Sequence, residues 1–140
     1  MRNAPSVVQK LAQHLLIHEA GVSRDSASLA DAMERACDKL RQHLSKLMGL
    51  DGFMLLLIRA LTLAGAYFPW LEALHVQADG SLKDVYTSVQ KQEPVQAIAG
   101  FTAVLSHFFA LLVTFIGEDL TLRLIQGIWP NIDLGQEETT

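Results

Sequence analysis

The sequence predicts an all-α fold, a single-domain bundle of five or six helices with two strongly apolar helices at its centre. Three observations carry this prediction. Apolar residues recur at steps of three and four through most of the chain, the spacing that gathers them on one helical face. Glycine and proline fall where such runs stop or start. With 140 residues, half of them hydrophobic and 19% charged, the chain has material for one core and little tendency to disorder.

The first helix is predicted over 5–19, with Pro5 at its first position, Val7, Val8, Leu11, Ala12 and Leu15 on its apolar face, and Gly21 as its stop. The second, over 26–48, has Ser26 or Ser28 as candidate caps and an apolar seam of Leu29, Met33, Ala36 or Cys37, Leu40, Leu44 and Leu47 between charged residues. Gly49 ends it. A third helix capped by Asp51, "GFMLLLIRALTLAGAYF", is apolar nearly all round and ends before Pro69, with "PWLEAL" as one further turn. In "HVQADGSLKDVY" a helix begun by Ser81 or Asp84 and reaching Gln90 is preferred to a hairpin about Asp79-Gly80. Pro94 opens a long helix over 95–116, and Gly117 breaks it. Glu118 and Asp119 fit the first turn of a last helix that Pro130 closes. The helical domain therefore spans 1–130, and 131–140 is expected to be a mobile acidic tail.

The run 95–116 is long enough to span a bilayer. Against that, the companion run carries Arg59 at its middle, and basic residues do not flank the two runs in an orienting pattern. Both are read as central helices of a soluble bundle. Arg59 then needs solvent or a carboxylate, and Glu118 and Asp119 are the expected partners in a structural ion pair; Arg123, four residues after Asp119, offers a local alternative.

A net charge of -4 and a pI near 5.6 exclude an electrostatic case for nucleic acid. One cysteine, Cys37, permits no internal disulfide, and no apolar leader pattern stands at the N-terminus, so a cytoplasmic protein is expected. His14 and His18 have the spacing of two metal ligands, but two ligands do not make a site, and no metal or cofactor is predicted. There is no phosphate loop, nucleophile elbow or paired-cysteine motif, and no enzymatic activity is expected. Function is inferred by elimination: a protein-interaction or regulatory module, homodimeric or bound to a protein partner, using Met33, Cys37, Leu40, Leu44 and Leu47 as interface unless that seam packs inside the monomer. In an alternative, Phe101, His107, Phe108 and Trp129 line a pocket for an apolar small molecule.

The stretch "QHLSKLMG", residues 42–49, resembles the phosphoacceptor segment of histidine phosphotransfer domains, helical bundles with an exposed histidine and a lysine three residues on. The resemblance implies a phosphoacceptor role for His43 with Lys46 beside it. It covers eight residues, and Leu47 stands where the family's small glycine follows the lysine.

Overall fold

The structure is a computed structural model and describes residues 6–132; the helix start at Pro5 and residues 133–140 lie outside the described residues. Among the described residues the chain is all-α. It runs α1 (Ser6–Ala20), α2 (Ser26–Gly65), a 3₁₀ turn (Pro69–Ala73), β1 (His75–Val76), β2 (Leu82–Lys83), α3 (Val85–Val89), α4 (Pro94–Ile116) and α5 (Glu118–Ile128).

The predicted second and third helices form one hydrogen-bonded element, α2, broken at Gly49. There φ is 81° and ψ 160°, a conformation essentially restricted to glycine, so the chain bends without a loop. The N-cap is Asp25, one residue before Ser26 and three before Ser28: its carboxylate accepts from the Ser28 amide at 2.7 Å. That bond holds the Asp25 carboxyl below its usual range. Gly117 repeats the geometry of Gly49, with φ 91° and ψ 160°, and turns α4 into α5.

The segment predicted as helix from Ser81 splits. A two-stranded antiparallel hairpin pairs His75 with Lys83 and Val76 with Leu82, with Gly80 at φ 86° in its turn. Helix α3 begins only after Asp84, which takes a left-handed φ of 67°. The turn preference of Asp79-Gly80 outweighed the cap signal: the Asp79 carboxylate accepts from the Ser81 amide and hydroxyl at 3.0 and 2.6 Å.

One apolar cluster joins all five helices. The arm of α2 after Gly49 and α4 run antiparallel at its centre, since Phe53 meets Phe108 edge-on at 5.7 Å while Trp70, further along, meets Phe101 at 5.4 Å. Gly100 lies under the Trp70 ring, and a Cβ there would overlap it. The core extends past the predicted domain boundary: Ile132 is buried, with its amide on the Trp129 carbonyl at 3.1 Å. Both α2 and α4 are long and apolar enough to cross a membrane, and less than half of the most apolar stretch of each is buried.

Candidate interaction surface

The seam predicted as an interface is mostly interior. Met33, Cys37, Leu40 and Leu44 are buried within the monomer, and only Leu47 is exposed, at 51%. The reason is that these side chains enter the same apolar cluster as residues of α1 and α4, which satisfies them within one chain. Burial also pushes the Cys37 thiol up to about 12, with Asp38 and Glu34 adding to the shift.

Apolar surface remains on another side. Across the Gly49 break, α2 and the end of α4 frame an open groove of about 640 Å³ lined by Leu47, Met48, Gly52, Leu55, Leu56, Arg59, Leu111, Phe115 and Ile116. Leu55 and Phe115 are each 69% exposed, which is unusual for side chains that gain roughly 1.5–3 kcal/mol by full burial. Ile58 adds exposed surface beside Leu55. Leu47, Leu55, Ile58 and Phe115 thus leave large exposed apolar side chains at or beside one groove.

Arg59 is the one charged residue lining the groove. It is exposed and forms no salt bridge with Glu118 or Asp119, so the predicted ion pair is absent. The antiparallel packing explains why. Glu118 and Asp119 follow the C-terminal end of α4, which lies beside Gly52 and Leu47, whereas Arg59 is two turns further along α2. A rise of about 1.5 Å per residue over 52–59 puts the backbone of Arg59 about 10 Å further along the helix than Gly52. Arg123 shares the acidic end but forms no salt bridge there either.

His43 is exposed, and its Nδ1 lies 2.9 Å from the Lys39 carbonyl, a contact in which the ring nitrogen donates. This leaves Nε2 toward solvent. Lys46 is exposed one turn on, and Leu47 occupies exposed surface beside it.

The apolar-pocket residues are not brought together around a cavity. Phe101, Phe108 and Trp129 are core side chains, with Phe101 and Phe108 engaged in ring contacts and Trp129 hydrogen-bonded through its indole. His107 is half-buried and instead lines a cleft of about 680 Å³ between α1 and α4, with Lys10, Gln13, Thr102 and Ser106. Burial pushes its imidazole down, favouring the neutral ring. Among the described residues no three of His, Cys, Asp and Glu gather as a metal-ligating set.

One cluster was not predicted. The Glu19 side chain is 5% exposed and accepts from Arg35 at 3.1 Å, from the Trp129 indole at 2.7 Å and from Lys39. Its backbone carbonyl takes a further bond from Arg35 at 2.6 Å. Burial alone would raise the carboxyl; the bonds from Lys39, Trp129 and Arg35 outweigh it and hold Glu19 below its usual range. Lys39 also sits 5.9 Å from the Trp129 ring centre, a cation over an aromatic face. The local signal was Glu19 at the polar end of an otherwise regular helix; the Trp129 partner could not be read from spacing.

No family model, no curated protein and no solved structure matches this chain.

Proposed function

We propose that the chain is a non-catalytic, cytoplasmic protein-interaction module that binds through the groove between the second arm of α2 and the end of α4. The observation that carries this reading is the exposure of Leu47, Leu55 and Phe115 around one continuous apolar depression with a single cation in its lining. A groove of this kind accepts an apolar helical face or a matching surface, with anchors spaced three and four residues apart. The test is site-specific photocrosslinking in cells, with benzoylphenylalanine in place of Leu55 or Phe115 and, as control, in place of the exposed Glu34. Protein adducts at the two groove positions and none at Glu34 are expected. Adducts to lipid alone, or none at all, would sink the reading.

A second reading rests on His43. With Nδ1 tied to the Lys39 carbonyl, Nε2 is the nitrogen presented for phosphorylation, and Lys46 supplies a nearby positive charge. Acid-labile phosphate acquired from a phosphodonor kinase and abolished by His43→Gln is the expected signature. A wild-type chain that stays unmodified with several donors removes this alternative.

A further inference from the structure

Resting on the groove reading above, we infer that the groove's occupant is a second copy of this chain, docked about a two-fold axis so that Arg59 of each copy meets the Glu118–Asp119 end of the other.

The argument starts from what the fold separates. Arg59 lines one end of the apolar depression, and Glu118 and Asp119 line an adjoining depression that meets it at Ile116, toward its other end; both sets are exposed and neither has a salt-bridge partner in its own chain among the described residues. An isologous contact lays a patch against itself reversed. A patch with a cation at one end and acids at the other is therefore complementary to its own two-fold image. Rotation about an axis near Leu55 brings each Arg59 over the partner's acidic end and presses the two exposed apolar centres together. Arg123 lines the same depression as Glu118 and Asp119 and leaves that end one net negative charge for Arg59. The division of labour is ordinary for interfaces: buried Leu55 and Phe115 supply affinity, and the charge pairs fix the orientation. An anionic membrane surface fits less well, because Glu118 and Asp119 would face it at one end of the same patch.

The experiment is sedimentation equilibrium of the purified full chain without detergent over a dilution series, on wild type, Arg59→Glu, the double variant Glu118→Lys with Asp119→Lys, the combination of all three, and Leu55→Arg. All four positions are exposed, and far-UV circular dichroism with a thermal melt checks that each variant is folded. A wild-type dimer is expected, with each one-sided reversal weakening association roughly tenfold or more and the combined reversal recovering most of the loss. Leu55→Arg should abolish the dimer. A monomer at every concentration, or recovery only in detergent, overturns the inference. So does a dimer that Leu55→Arg breaks but Arg59→Glu leaves intact, which retains the groove as a binding site and rejects this register. A foreign protein on the Leu55 photocrosslink with no dimer in the centrifuge rejects the second copy alone.

Discussion

Replacing Glu19 by glutamine keeps the side chain's shape and removes the charge that Arg35, Lys39 and Trp129 converge on. Because the two cations are about half exposed, they return to water rather than being stranded, so we expect a loss of about 1–2 kcal/mol in denaturant unfolding. The acid dependence should have two stages. His107 is held neutral by burial, so the unfolded chain binds its proton first, and stability falls as pH drops through the ordinary histidine range. Glu19 has a depressed carboxyl; its contribution is full above the ordinary carboxylate range and is lost as pH falls through that range toward the folded value. His107→Gln should remove the first stage and Glu19→Gln the second, as read from unfolding midpoints over a pH series. Stages that persist unchanged in both variants would place the acid sensitivity elsewhere. Cys37, buried with its thiol pushed up to about 12, should alkylate only as fast as the chain opens. Of these residues the sequence made Cys37 and His107 visible as apolar-context positions. Their partners were hidden, because a helix wheel shows which face is apolar and not which residue from a distant element will fill it.

Helix joints give sharper expectations. Gly49 and Gly117 share a backbone conformation that side chains avoid, so alanine at either should destabilise by about 1–3 kcal/mol although no neighbouring atom would be touched. Gly127 sits in α5 with regular geometry and open space around it, and alanine there should stabilise by up to about 1 kcal/mol. Gly100→Ala belongs to a third kind: its Cβ would strike Trp70, and we expect a loss of about 1–3 kcal/mol accompanied by a changed Trp70 environment in near-UV circular dichroism. A neutral Gly100→Ala would mean that the ring yields easily. Helices were legible because periodicity is local: the first, the fourth and the fifth fall within a residue or two of their predicted limits. The hairpin was misjudged since cap and turn signals overlap at Asp79, Ser81 and Asp84, and two-residue strands leave too little alternation to decide between them.

At the scale of the molecule, the distribution of apolar surface matters more than its amount. The sequence showed an amphipathic seam on the second helix that could serve as an interface or pack inside the monomer; the fold buries all of it but Leu47 and exposes part of the helix that had looked most interior. Hydropathy cannot distinguish these cases, because a helix apolar all round has no preferred side until its neighbours are placed. The separation of the exposed Arg59 from the exposed Glu118 and Asp119 is likewise invisible until α2 and α4 are known to run antiparallel. Light scattering of the chain purified without detergent therefore bears on the whole reading, with a mass of two chains expected. The bond between Glu19 and the Trp129 indole has one more consequence, for the order of events during synthesis. The cations that meet Glu19 are 16 and 20 residues ahead of it, whereas the indole is 110 ahead. A growing chain can thus form the α1–α2 hairpin early, but the cover over its buried carboxylate comes 110 residues after it, and closure of this cluster waits for the tryptophan to arrive.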